Sequence, residues 1–437
     1  MLYPNQLLKE IKLIWPKFRF HKEEKIGELP SDKILLELLE TVYHASFLTE
    51  ESRKIGVRVL YAQYETIKKD FDEPHAEGKK TLIKFDRYRL FSKSEILRLA
   101  PATDLEKMLI GVMSDEEGNL KIWGLIDIGS NWWKYIHGQA NSGLIPPNYL
   151  TVSSTTPGNL TISRSGHIIL NLSGGKINRP LSDVFENGPI YEFFNESHNT
   201  FYNEVCAELK VKKFDKYDDH IPILNYIKFI TKLIFNIRNL HHGGTLIIIP
   251  DKITSKDVRL TDRINIKYIS DFNEPWETLK KYIVSWRNYY NSYAALAHGR
   301  KLIGKKDFRE VHQLELKMEN IEEHIDDIAK LLASLSGIDG AVVITDRYRL
   351  LGFGGEVIVH SPNLTHISVA EDIEGKKVYE IPIESYGTRH RSAFRFCSSY
   401  EDAIAIVISQ DGGVRAVKRC GQKVVLWSDI NEGHYGI

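Results

Sequence analysis

Two short segments carry side chains that could do chemistry. In Gly337-Ile338-Asp339-Gly340-Ala341 a carboxylate stands directly before an apolar run, Ala341 to Ile344, that suits a central strand. The glycine after it permits close backbone approach. In Gly387-Thr388-Arg389-His390-Arg391 two guanidiniums and an imidazole fall on the first turn of a helix that Thr388 can cap and that runs to about Tyr400. The free N–H groups and positive dipole end of a helix start favour phosphate, and Arg389 and Arg391 add bidentate, charge-assisted contacts. Together the segments describe half of a nucleotidyl-transfer site: a carboxylate for a divalent metal and cations for a triphosphate. Each also has a plainer meaning, since Asp-Gly is a common turn and Arg-His-Arg a common solvated face. His390 shares a face with Phe394 and Cys397, where a core histidine would also fit.

The elements that must hold these residues follow from the surrounding pattern. Leu350 to Phe353 can pair with Ala341 to Ile344 across the Asp346-Arg347-Tyr348 turn, Ala403 to Ile408 is another buried strand, and Val414 to Val417 with Lys423 to Leu426 completes a compact sheet. Upstream, from about Trp276, long helical patterns take over. Val311, Leu314, Met318, Ile321, Ile325, Ile328, Leu332 and Leu335 alternate steps of three and four, which reads either as a coiled-coil connector or as an amphipathic helix lying on a sheet. The first part, to about residue 270, mixes α and β. A helix is expected from Ser31 to about Ser46, strands at Val57 to Tyr61, Leu82 to Phe85 and Lys121 to Ile128, and a small antiparallel meander at Leu150 to Ser153, Leu160 to Ser163 and His167 to Leu172. Helices at Ile190 to Leu209 and Ile221 to Leu240 precede a buried strand, Thr245 to Ile249.

Composition bounds the class. A chain of 437 residues predicts about two to four domains, and with 42% hydrophobic and 27% charged residues it is globular rather than disordered. Lys plus Arg and Asp plus Glu are 58 each, so no global field draws it to a nucleic acid polymer or an anionic membrane. Three scattered cysteines argue against a disulfide framework or a structural zinc site. Without a signal peptide or a spanning segment in the pattern, a cytoplasmic location is expected. Other features carry less. His241-His242 point apart and lack a third ligand, Gly352-x-Gly354-Gly355 is not a dinucleotide fingerprint, and Trp132-Trp133-Lys134-Tyr135-Ile136-His137 suits either purine stacking or core packing.

In combination, Asp339-Gly340-Ala341 and Gly387-Thr388-Arg389-His390-Arg391 resemble the hallmarks of the diadenylate cyclase (DAC) domain family. The context is similar too, with Ser392-Ala393 after the second motif and the Ala403 to Ser409 run leading into Gln410-Asp411-Gly412-Gly413. Upstream, Gly158-Asn-Leu-Thr-Ile through Gly174-Gly175 and His242 to Pro250 look like the probable sensor module DACNV. The resemblance implies an α/β protein: a DAC-like nucleotidyltransferase domain at 312–437, with a mixed sheet flanked by helices, preceded by an α+β sensor at 1–270 and a helical connector at 271–311. It implies condensation of two ATP into cyclic di-AMP and two pyrophosphates, with Mg2+ or Mn2+, between two DAC domains of a homodimer or higher homo-oligomer, tuned by an unknown small-molecule ligand of the sensor. By the same resemblance Asp339, Arg389, His390 and Arg391 are catalytic, Gly340, Ala341, Thr388 and Ser409 bind nucleotide, and Asp339, His390 and Asp411 hold metal. Three departures stand out: Ile338 where the family often has a histidine, a long interval between Asp339 and Arg389, and Ser409-Gln410-Asp411 in place of Ser-Glu-Glu. The alternatives are a DAC-like domain that binds ATP or a cyclic dinucleotide without turnover, and a helical scaffold that binds no nucleotide.

Overall fold

The computed structural model describes residues 3–16, 27–50, 53–72, 81–105, 107–129, 148–165, 167–173, 175–178, 182–216, 218–298, 305–359, 363–410, 413–428 and 430. The α/β expectation holds, and the chain divides into two units, one formed mainly by residues 1–180 and the other by 181–430.

In the first unit, helices α1 (Pro4–Ile14) and α2 (Asp32–Ala45) precede a short pairing of β1 (Thr49–Glu50) with β2 (Arg53–Lys54). Then come β3 (Val57–Tyr61), α3 (Tyr64–Asp72), β4 (Thr81–Leu90), α4 (Lys93–Leu99), β5 (Met108–Ser114) and β6 (Leu120–Asp127). Four strands complete it: β7 (Leu150–Ser154), β8 (Leu160–Arg164), β9 (His167–Ser173) and β10 (Lys176–Asn178). The sheet order is β10-β9-β8-β7-β3-β5-β6-β4, antiparallel except for β3 with β5. Period-two alternation sends Val57, Val59, Val152, Ile162 and Leu170 to the face that carries Leu7, Ile11, Leu35, Leu38, Leu39 and Val42 of α1 and α2. Each such fully buried side chain contributes on the order of 2 kcal/mol, which is what holds two amphipathic helices on the sheet.

The second unit begins with α5 (Gly188–Glu208) and α6 (Ile221–Asn239), followed by β11 (Gly244–Ile249), a short α7 (Val258–Thr261) and β12 (Ile264–Phe272). Two long helices, α8 (Glu274–His298) and α9 (Lys305–Ser334), lead to β13 (Ala341–Thr345) and β14 (Leu350–Val357). The rest is β15 (His366–Ala370), β16 (Val378–Pro382), α10 (Thr388–Ser399), β17 (Ile404–Ile408), β18 (Val414–Cys420) and β19 (Lys423–Ser428). Their order is β12-β14-β13-β11-β17-β18-β19-β15-β16, with β11–β13 and β15–β19 parallel. The central strands β11, β13 and β17 are buried along their whole length, as continuous apolar runs are when helices cover both faces of a sheet. Leu246, Ile248, Val342, Ile344 and Ile406 meet α5, α6, α8 and α9 on one side. On the other side Ile247, Val343, Ala405 and Val407 meet Ala393, Phe394, Phe396 and Cys397 of α10.

Three sequence expectations are redrawn here. The run His242 to Pro250, read with the sensor, forms the central strand of the second sheet, because Leu246 to Ile249 pair with Val342 to Thr345 and also with β17. Residues 181–270 therefore pack with the carboxy-terminal segments, and their helices α5 and α6 cover that sheet. The heptad stripe of α9 is an amphipathic face rather than a free connector. Ile325, Ile328 and Leu332 are buried in the same core as β11 and β13, and α8 and α6 pack alongside. A strip that wide needs helices on its flank and a sheet beneath it, not a second coiled strand.

Candidate functional site

The second sheet gathers the candidate residues at one end. β11 and β13 run parallel, so the residues entering them, His242-Gly243 and Asp339-Gly340, emerge side by side. β17 runs the other way, so its last residues end beside the start of β11, and Ser409 follows directly. Ends of strands and the loops beyond them can present polar groups without burying them.

Gly340 makes the approach possible. Its φ is +119°, and a Cβ on it would stand 2.6 Å from the carbonyl carbon of Gly354 and 2.8 Å from the nitrogen of Gly355. Only glycine tolerates both the angle and the contact, so the turn after Asp339 is pressed against the glycine-rich middle of β14. Asp339 itself is exposed, and no described residue forms a hydrogen bond or ion pair with its carboxylate. Ala341, the first residue of β13, is buried. Lys267 and Tyr268 of β12 reach the same place, each within 3.4 Å of where a Cβ on Gly354 would be.

Helix α10 supplies the cations. Its N-cap is Gly387, with extended backbone and no side chain to satisfy the first N–H groups, and the space where a Cβ would project is open. Thr388 and Arg389 are exposed on that first turn. The Nη1 of Arg389 lies 2.8 Å from where a Cβ on Gly243 would stand, so the guanidinium rests on the backbone that enters β11. Arg391 is half-buried, and its Nε has no hydrogen-bond partner among the described residues. His390 packs against the rings of Tyr386 and Phe394, which also touch each other. Arg415 of β18 donates from Nη1 to His390 Nε2 at 3.0 Å and to Ser409 Oγ at 3.2 Å. A guanidinium only donates, so the Nε2 lone pair is taken and His390 carries its proton on Nδ1. Burial raises the Tyr386 hydroxyl above its ordinary value, keeping it protonated beside this cluster.

Sequence reasoning singled out Asp339, Gly340, Ala341, Thr388, Arg389, His390, Arg391 and Ser409, and the structure brings these to the same sheet end. Asp411 lies outside the described residues, as does the Trp132 to His137 run. What sequence reasoning missed is His242, Arg415, Lys267 and Tyr268. His242 was weighed only as a zinc ligand beside His241. Its Nδ1 donates to the carbonyl of Gly243, and its Nε2 stands 3.4 Å from where a Cβ on Gly337 would be, two residues ahead of Asp339. Only the register of β11 against β13 could have signalled this. Among the described residues no group of three or more His, Cys, Asp or Glu could hold a metal ion. A magnesium-type ion held by one or two carboxylates and substrate phosphates needs no such group.

Residues 24–127 match the family model described as the probable sensor domain DACNV. The match covers about a quarter of the chain and lies within the first unit, from before α2 through β6. It does not reach the residues gathered around Asp339. The stretches from Gly158 onward and from His242 to Pro250, read as sensor-like in sequence, lie outside the match. No curated protein and no solved structure matches the chain. Among the described residues no helix is long and apolar enough to cross a membrane.

Proposed function

We propose that the protein is a diadenylate cyclase whose second unit condenses two ATP molecules into cyclic di-AMP, with the DACNV-type sensor domain setting its activity. The observation that carries the reading is the convergence of the Asp339-Gly340 turn and the cationic start of α10 on one end of one sheet, bridged by Gly243. The match of the first unit to a sensor module agrees with a regulated enzyme.

The chain's residues divide the work. The open N-terminal turn of α10 with Thr388, Arg389 and Arg391 holds a triphosphate, and the unpartnered Arg391 Nε finds its acceptor there. Arg415 holds the His390 ring through Nε2 beside this turn. Asp339, exposed and unpaired, accepts from a ribose 3′-hydroxyl. A Mg2+ or Mn2+ ion held by Asp339 and the phosphates would neutralise charge on the reacting phosphate. In each half-reaction the 3′-hydroxyl loses its proton, its oxygen bonds the α-phosphorus of the other nucleotide, and the bond to the departing pyrophosphate breaks. One site holds one nucleotide, so the reading requires two copies of the second unit face to face. Positioning and charge stabilisation supply most of the rate.

Incubating the full chain with ATP and Mg2+ or Mn2+ and separating the products tests this. Cyclic di-AMP and pyrophosphate are expected, with turnover that rises with protein concentration. Tight ATP binding without a cyclic product would replace the cyclase by a nucleotide-binding module, and no binding at all would remove both.

A further inference from the structure

We propose, building on the nucleotide reading of the site above, that His242 selects ribose: its Nε2 accepts a hydrogen bond from the 2′-hydroxyl of the bound nucleotide. The residue stands where α6 gives way to β11, in a turn with two left-handed residues, His241 at φ +56° and Gly243 at φ +68°. A residue with a side chain rarely takes that conformation, and here it turns the chain from helix to strand with His242 held between the two. Carried back from the pair Leu246 and Val342, the parallel register of β11 and β13 sets Gly243 level with Asp339 and His242 level with Ile338. Neighbouring strand ends are about 4.8 Å apart.

Three features fit His242 to a hydroxyl. Its Nδ1 donates to the Gly243 carbonyl, which leaves a lone pair on Nε2 of the neutral ring. Nε2 makes no hydrogen bond with any described residue, and unlike Arg391 Nε it is not buried. The edge of the ring is also clear. A Cβ on Gly337 would stand 3.4 Å from Nε2 and 4.0 Å from Cε1, and glycine leaves that space empty. Residues 337–340 are all exposed, so the ring edge lies beside an open turn, the one that carries Asp339. The neighbours say which hydroxyl it meets. On one side the Arg389 guanidinium rests against Gly243, its Nη1 2.8 Å from where a Cβ would be, and marks the phosphate end of the ligand. On the other, the nucleotide reading gives Asp339 the 3′-hydroxyl. The 2′-hydroxyl is on the adjacent ring carbon, so a second acceptor on the next strand end meets it over an ordinary hydrogen bond of about 2.8 Å. A carboxylate and an imidazole acceptor side by side take the two donor hydrogens of a vicinal diol, and a 2′-deoxy sugar offers only one. A site built to bond a hydroxyl discriminates against the analogue that lacks it, because the acceptor is then left unpaired.

Calorimetry on the full chain with α,β-methylene-ATP, its 2′-deoxy counterpart and inorganic triphosphate tests this; the methylene bridge keeps either nucleotide from losing pyrophosphate. The parent is expected to bind the ribose form about five- to tenfold more tightly than the deoxy form, the range of one net hydrogen bond. His242→Ala should lower the affinity of the ribose form to that of the deoxy form, and leave the deoxy form unchanged within about twofold. Both proteins should bind triphosphate alike, which also reports that the variant's site is folded. The proposal is overturned if the parent takes both nucleotides equally, if His242→Ala keeps the parent's preference, or if the variant loses triphosphate as well. A parent that binds neither nucleotide nor triphosphate would remove the nucleotide reading and this proposal with it, whereas binding of all three without preference removes only the role of His242.

Discussion

The two sheets keep their polar residues in different places. In the second unit the central strands are apolar throughout, and Asp339, Arg389, His242 and Ser409 stand beyond the strand ends, where they emerge from a core that needs nothing from them. In the first unit Arg58, Ser153 and Thr161 are within the strands, on one face of the sheet, and buried. The difference teaches how far function can be separated from stability. A residue past the end of a strand can change with little consequence for folding, whereas one on a sheet face is part of the packing.

Asp339→Ala tests the first half of that contrast and has the largest expected effect. Cyclic product should fall roughly 100-fold or more, the range lost with a positioned acid or base, while the melting temperature stays within a degree or so of the parent. Product formed at the parental rate would remove Asp339 from the site. Gly340→Ala, one residue on, should behave in the opposite sense. The clash with Gly354 and Gly355 and the strained φ should lower stability by about 2–4 kcal/mol as well as activity, which denaturant titration would measure. Arg391→Ala should weaken ATP binding about tenfold without loss of the fold, and calorimetry with a non-cyclising ATP analogue checks it. Unchanged affinity would mean that the Arg391 side chain faces no phosphate.

The smallest effect concerns buried groups of the second unit that lie away from the site. His198 is enclosed by Phe194, Tyr191 and Tyr226, and neither ring nitrogen has a hydrogen-bond partner among the described residues. Burial lowers it to about 4. Its folded value is below the unfolded one, so the group leaves stability untouched above pH 6.5 and reduces it as pH falls toward 4, by about 3 kcal/mol at most. Asp346 has the opposite sign. Burial raises it to about 6, so the group leaves stability untouched below the ordinary carboxylate value, lowers it as pH rises from there to about 6, and adds no further loss above. Comparing the parent with His198→Phe between pH 7 and 4 isolates the histidine: the parent should lose stability on acidification relative to the variant. Parallel curves would mean that His198 is not enclosed as described.

Much of the second sheet was legible. The continuous apolar runs at Thr245 to Ile249, Ala341 to Ile344 and Ala403 to Ile408 announce buried central strands, and Thr388 marks the start of α10 within a residue. The edge strands β12 and β16 were not legible, because with mixed exposure they show neither clean alternation nor a continuous apolar run, and β15, interior and mostly buried, is a run of only five residues broken by Ser368. The heptad of α9 was visible as a stripe, but a stripe does not say whether a helix or a sheet covers it. In the site, Asp339 and Arg389 were found because each lies in a short segment of unusual composition, while Arg415 and His242 lie in segments that look ordinary until the strands pair.

By itself, then, the sequence determined the apolar strands, the helix starts, and the chemistry of the two segments around Asp339 and Arg389, because periodicity and side-chain type are local properties. Only the tertiary structure decided that β11 lies between β13 and β17, that Gly243 brings Arg389 beside the turn before Asp339, and that four polar residues of β3, β7, β8 and β9 share one row. These are matters of register between strands far apart in the chain. Register is set by the summed burial of whole faces, and no short window of residues carries that sum.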